Sequence, residues 1–324
     1  MSAEPIAATT ADHGRSSRPT GQRAGVLYGL AAYGLWGGFP LYFTWLAAAG
    51  PWEIVGHRIA WSLVFCLVLL VCTGGVPDLL RKLRGRRTLT GAALGGLFVA
   101  ANWTIYLIAV TSGRIADAAL GYFLNPLVSV ALGLVVLRER LRPLQWIAVG
   151  IAALGAAYLT VQAHSLPLIP LGLAFSFGIY GLIKNRMGAR LSALQGLTTE
   201  TICVAPLAVV MLGVVAAQGS TTFGALGAGH TALLASTGVA TAIPLLLFAA
   251  SARRVPLVTI GLMQFLAPIM QFATALLLGE HLSQARWIGF GIIWIAVTVL
   301  IVDLIGAARG RSKVAAPLEP GVAG

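Results

Sequence analysis

The tetrapeptide Phe123-Leu124-Asn125-Pro126 has a near copy 142 residues further on, Phe265-Leu266-Ala267-Pro268. One residue then drops out. At an offset of 141, Glu139 falls on Glu280, Trp146 on Trp287 and Gly150 on Gly291. The chain therefore reads as two copies of one unit, and what kind of unit follows from its solvent. Of 324 residues 58% are hydrophobic and 10% charged, against about 25% charged in a soluble domain. Mean hydropathy is +0.87. A soluble fold of this length cannot hide so much apolar surface, which excludes a water-soluble enzyme or a nucleic-acid binder.

Crossing a hydrocarbon core of roughly 30 Å takes about 20 apolar residues. Ten such runs are present: 25–46, 54–73, 91–111, 118–137, 144–162, 166–184, 196–216, 230–250, 256–278 and 285–305. The first is too long for a signal peptide, lacks a small-residue cleavage site and is followed by nine more. Each copy holds five runs (25–164 and 165–306). Five is odd, so the second copy enters the membrane from the opposite side. Charge agrees. Of the 22 Lys and Arg residues, nineteen lie in the two tails and in alternate connections, such as Arg81 to Arg87 and Arg138 to Arg142. The other face holds Arg114 and Arg286, and Arg58 lies inside a run. By the positive-inside rule both termini are cytoplasmic. Residues 1–24 and 307–324, rich in small and polar residues, read as disordered tails. The predicted fold is an all-α polytopic membrane protein of ten transmembrane helices in two inverted five-helix repeats. This is the architecture of secondary transporters, with a substrate site near the midplane between the halves.

Cys66, Cys72 and Cys203 lie within apolar runs, and no closely spaced Cys/His set is present. No disulfide, metal or cofactor is expected. The expected partners are a small-molecule substrate and the lipid bilayer, with no nucleic acid; a homo-oligomer is left open.

Several stretches resemble the RarD-type permeases of the drug/metabolite transporter superfamily, whose members carry two EamA-type repeats. They are Gly25 to Tyr28, Tyr33 to Pro40 (YGLWGGFP), Glu53 to Ser62 (EIVGHRIAWS), Gly121 to Pro126 (GYFLNP), Thr237 to Phe248 (TGVATAIPLLLF), Gln264 to Pro268 and Arg286 to Phe290. His57-Arg58 followed by Trp61-Ser62 is the most specific of these. The resemblance implies a ten-helix inner-membrane permease driven by a gradient, similar to proteins labelled as chloramphenicol-sensitivity or drug permeases. The second repeat departs from the first at Ala267, where the first has Asn125, so the halves need not contribute equally to a site.

Ionisable groups inside a span are costly and earn a functional reading. Arg58 and His57 on the second span are expected to face the path and bind an anionic or polar substrate group. The alternative is that Arg58 reaches the outer interface and pairs with Glu53, which is itself read as interfacial. Glu200 is the only carboxylate well inside the seventh span, and at the 142 offset it falls where Arg58 falls. An acid in apolar surroundings suits a group that takes up and releases a proton, so Glu200 is the expected coupling site; a structural ion pair is the alternative. Two polar stripes recur: Tyr122, Asn125 and Ser129 on the fourth span, and Gln264, Pro268 and Gln271 on the ninth. Each occupies one helical face, and these faces are read as walls of a central cavity, with interhelical hydrogen bonding as the alternative. Pro126 and Pro268 sit at equivalent points where each permits a kink. Asn102 and Tyr106, beside Trp103, could contact a planar substrate, and Trp36 could line the cavity. Thr237 and Thr241 are expected to bond only to their own helix, Lys184 to be a topology charge, and Glu139 and Glu280 to act at helix ends.

The favoured function is a secondary active transporter of a small metabolite or drug-like molecule. It lacks a GxxxxGK[ST] loop, so coupling falls to a gradient, with protons preferred and export favoured by analogy. The competing classes are a passive channel or lipid scramblase, and an integral membrane enzyme.

Overall fold

The computed structural model describes residues 19–83, 85–138, 141–163, 166–187, 191–252, 254–255, 259–260 and 263–314. The outer parts of both tails and Glu139 lie outside the described residues. Among the described residues there are eleven α-helices and no strand. They are α1 (Pro19–Thr44), α2 (Gly50–Cys72), α3 (Val76–Leu83), α4 (Arg86–Thr111), α5 (Ile115–Leu137), α6 (Pro143–Ala163), α7 (Leu168–Met187), α8 (Ala193–Ala217), α9 (Gly227–Ala252), α10 (Leu266–Leu277) and α11 (Gln284–Val314). Seven are long and apolar enough to cross a membrane, those of α2, α4, α5, α6, α8, α9 and α11, while α7 and α10 contain shorter apolar stretches. The helical state is what lipid demands, because it satisfies every backbone N–H and C=O within the segment. Helix α3 is short, with Asp78 in its first turn and Arg81 and Lys82 in its last.

Three boundaries differ from expectation. Helix α1 begins at Pro19, inside the stretch read as a tail. Helix α11 runs on to Val314, into the stretch read as the second tail. The run 256–278 is not one helix. Gln264 and Phe265 form a turn, and α10 starts at Leu266. Pro268 thus sits in the first turn of a helix, where its missing N–H costs nothing. Its repeat partner Pro126 lies inside the unbroken α5.

Helix packing follows the repeat. Helix α5 packs on α7 as α10 packs on α1, α4 on α7 as α9 on α1, and α2 on α9 as α8 on α4. The remaining major contacts, α2 with α8, α5 with α10 and α6 with α11, join equivalent helices. Two of the crossings are closed by equivalent glycines. A Cβ on Gly238 would stand 2.3 Å from the carbonyl oxygen of Trp61, and one on Gly96 2.8 Å from that of Glu200. Backbone cannot yield, so only glycine permits these approaches, as small residues do between membrane helices. The main apolar core runs between the halves, from Phe39, Phe43 and Ile59 through Tyr106 and Phe123 to Phe272 and Phe290. A cleft of about 340 Å³ lies where Thr44, Val110, Gly113, Ala275 and Glu280 meet.

Candidate functional site

Arg58 is 3% exposed, deep in α2. Its Nε donates to Thr241 Oγ1 of α9 at 2.8 Å. That hydroxyl spends its own proton on the Thr237 carbonyl at 2.8 Å, which leaves its lone pairs free to accept. The guanidinium carbon stands 4.3 Å from the Trp103 ring centroid, 5.3 Å from that of Phe43 and 5.4 Å from that of Phe39. Electron-rich ring faces partly replace the water an arginine gives up on burial. Among the described residues no carboxylate pairs with Arg58, and its Nη1 has no hydrogen-bond partner. The pairing with Glu53 weighed from sequence is absent.

Glu53 is fully buried. Its carboxylate accepts from the backbone N–H of Thr222 (2.9 and 3.1 Å), the Thr222 hydroxyl (2.9 Å) and the backbone N–H of Phe223 (3.0 Å). It thereby fixes the connection between α8 and α9. His57 belongs to this cluster and not to the rings around Arg58. Its ring stacks on Phe223 at 4.5 Å, and its Nε2 lies 3.9 Å from Glu53. His230 bonds the same Thr222 hydroxyl at 2.8 Å.

At the 142 offset Glu53 falls on Gln195, which does the matching work at the opposite end of the bundle. Gln195 closes a capping box with Ser192 at the head of α8. Its Oε1 also accepts from Lys82 at 3.0 Å, and its Nε2 donates to Asp78 at 2.8 Å. Each buried polar group in a second-helix first turn therefore grips the following connection of the other half.

Glu200, 1% exposed, lies in a separate cluster. Lys184 donates to its Oε1 and the Tyr180 hydroxyl to its Oε2, the latter at 3.2 Å. The Lys184 ammonium also lies 5.6 Å from the Tyr180 ring centroid. Lys184 is thus a partner and not only a charge in a connection.

The polar stripes are resolved residue by residue. The Tyr122 hydroxyl donates to Asn102 Oδ1 at 3.2 Å, and Asn102 Nδ2 donates to the Leu173 carbonyl (3.1 Å) and Ser176 Oγ (3.0 Å). Tyr106, fully buried, lies 5.8 Å from Tyr122 and 6.1 Å from Phe43 between ring centroids. Among the described residues its hydroxyl has no partner. Asn102, Tyr106, Tyr122 and Arg58 therefore surround one region. Gln271 Nε2 donates to the Trp36 carbonyl at 3.1 Å, and Trp36 packs at 5.3 Å on Tyr33. The side-chain oxygens of Asn125 and Gln271 are buried and have no partner among the described residues. Gln264 is half-buried in the turn before α10, while Ser129 is exposed. Among the described residues no three His, Cys, Asp or Glu side chains are placed to hold a metal ion.

Residues 23–161 match the EamA-like transporter family. Protein RarD of Streptomyces exfoliatus is 43% identical over 306 residues, covering 91% of this chain and 95% of that one. The chain belongs to the RarD-type permeases of the EamA superfamily. An uncharacterized transporter of Pseudomonas aeruginosa is likewise 43% identical, over 87% of this chain and 94% of its own length. A solved crystal structure superposes with a TM-score of 0.56 at 18% identity, covering 86% of this chain and 96% of that one, a likeness of fold. The RarD-type chain is therefore a multi-pass membrane transporter and not an enzyme.

Sequence reasoning missed the acceptor role of Thr241, the rings of Phe39 and Phe43 beneath Arg58, Tyr180 beside Glu200, and the Thr222–Phe223 connection. Only Tyr180 carried a signal, since it stands four residues before Lys184 and so on the same helical face.

Proposed function

We propose that this RarD-type permease is a secondary active transporter, exporting a small metabolite or drug-like molecule by alternating access. Ten membrane-crossing helices form two inverted repeats, 25–164 and 165–306, in the inner membrane with both termini cytoplasmic. The observation that carries this reading is the matched packing of the halves, with Gly96 and Gly238 at equivalent crossings. Two similar halves of opposite sense supply two similar states open to opposite sides. The substrate path runs past Arg58, Asn102, Tyr106 and Tyr122, with Trp36, Asn125, Ser129, Gln264 and Gln271 along its walls and His57 at one end.

Glu200 serves as the proton site. Its pairing with Lys184 and Tyr180 supports a two-state role. When the carboxylate is charged it ties α8 to α7; when protonated it releases Lys184. The test uses the full chain in proteoliposomes, with and without a pH gradient, against amino acids, nucleosides and chloramphenicol. The expected result is saturable counterflow and gradient-driven flux for one class. Glu200→Gln keeps the counterflow and loses the gradient-driven component. Flux that never saturates would make the protein a channel or scramblase, and unchanged proton-driven flux in Glu200→Gln would remove Glu200 from the coupling. Labelling of single cysteines placed in the tails reports their side of the membrane.

A further inference from the structure

We infer that Arg58 is the anion-binding residue of a monocarboxylate subsite, and that the permeated molecule itself supplies the missing counter-charge. This deepens the transport reading and rests on it for the word permeated.

A guanidinium this deeply buried is costly unless a negative partner and its remaining hydrogen bonds are supplied. The described residues supply neither in full. Thr241 is neutral and satisfies Nε alone, and the three rings face the flat guanidinium without accepting its Nη1 proton. The nearest acid along the helix, Glu53, is committed to Thr222 and Phe223 by four hydrogen bonds. Glu200 is committed to Lys184 and Tyr180. Among the described residues the Tyr106 hydroxyl is a second orphaned donor, and its ring lies 6.1 Å from Phe43, whose centroid is 5.3 Å from the guanidinium carbon of Arg58. Tyr106 and Tyr122 both lie within electrostatic reach of the guanidinium. An unpaired cation and an unpaired hydroxyl, walled by rings, are complementary to a carboxylate borne on an apolar or aromatic body.

The charge count selects the valence. One guanidinium neutralises one negative charge. A phosphate dianion or a dicarboxylate would retain charge in an apolar site, since His57 is turned to Phe223 and Glu53. A cationic ligand meets Arg58 as a like charge. Arginine also suits a carboxylate by geometry, because its planar fork matches the two oxygens.

The experiment is a thermal-shift titration of the purified full-length protein in detergent. The probes are benzoate, indole-3-acetate and butyrate, with benzyl alcohol, benzylamine and phthalate as controls. At least one monocarboxylate should raise the melting temperature saturably, the alcohol and amine should not, and phthalate should be weaker. Arg58→Lys should weaken that ligand by about tenfold or more, the value of a lost charge-assisted hydrogen bond, and Arg58→Gln should abolish its effect. Ligand-free Arg58→Gln should melt no lower than the wild type, because it removes an unpaired buried charge; a merely structural arginine would instead lower it. The inference is overturned if no monocarboxylate shifts the folded protein, or if the shift survives in Arg58→Gln. Because binding is read without transport, the two readings fail separately. Arg58-dependent binding without counterflow sinks the transporter, and counterflow of a substrate with which no monocarboxylate competes sinks the subsite.

Discussion

Helices α2 and α8 occupy the same place in the two halves, begin alike and then part. In the first turn both bury a polar side chain that grips a connection of the other half, Glu53 holding Thr222 and Phe223, and Gln195 holding Asp78 and Lys82. Five residues on, Arg58 lies among rings with no acid beside it among the described residues, while Glu200 lies against Lys184 and Tyr180. The repeat fixes where a polar group is needed but not its charge. Packing partners and fastening recur at the 142 offset; chemistry does not. Helices α5 and α10 part in the same way, one continuous through Pro126 and the other starting just ahead of Pro268.

The strongest test of the duplication is at the helix crossings. Gly238→Ala would push a methyl group against the Trp61 carbonyl, and Gly96→Ala against that of Glu200. Overpacking of this kind costs about 1–3 kcal/mol, and the closer Gly238 should stand at the upper end. Melting temperatures of both variants check the order, and a neutral Gly238→Ala would break the claim that the crossings are fixed.

Next come the two grips. Glu53→Ala strands two backbone N–H groups and a hydroxyl, for a loss of about 2–3 kcal/mol. Gln195→Ala should cost about 1 kcal/mol, because Asp78 and Lys82 still pair directly at 2.6 Å. Equal losses on thermal unfolding would erase the difference between them.

The smallest effects are in pH. Lys82, with Gln195 and Arg81, holds the Asp78 carboxyl well below the usual carboxylate range. Its contribution is therefore present above the unfolded value of about 4 and fades as the pH falls further. At the other end, burial raises Glu280, and nearby Asp117 adds to the rise, against the hydrogen bond from the Ala116 N–H. The folded chain there takes up a proton more readily than the unfolded one, so mild acid favours folding through Glu280. Asp78→Asn should flatten the loss of stability at strongly acid pH, and Glu280→Gln the gain at mildly acid pH, both read as melting temperature against pH.

Hydropathy and the offset between Phe123 and Phe265 made the helical layout legible, because lipid leaves the backbone few choices. Burial of Arg58 and Glu200 followed from the cost of exposing charge to hydrocarbon. The rest needed three dimensions. Thr241 bonds to its own helix as expected, yet a hydroxyl that donates can still accept, and sequence does not say from whom. Phe39 and Phe43 look like any other apolar residues of a span until a cation lies on them. The partners of Glu53 were not legible, because Thr222 and Phe223 stand about 170 residues away in sequence. Ser129 shares a stripe with Asn125 but is exposed, since a common face says nothing about depth along it. The break before α10 was hidden because Pro268 allows either a kink or a helix start.

The hold of Glu53 on Thr222 has a mechanical side. Glu53 and Arg58 are five residues apart on one stiff rod, about 7.5 Å of rise. A displacement of segment 218–226 is therefore delivered to the guanidinium with little slack. Reporter dyes or epitope insertions at Thr221 would disturb the very event they were meant to watch.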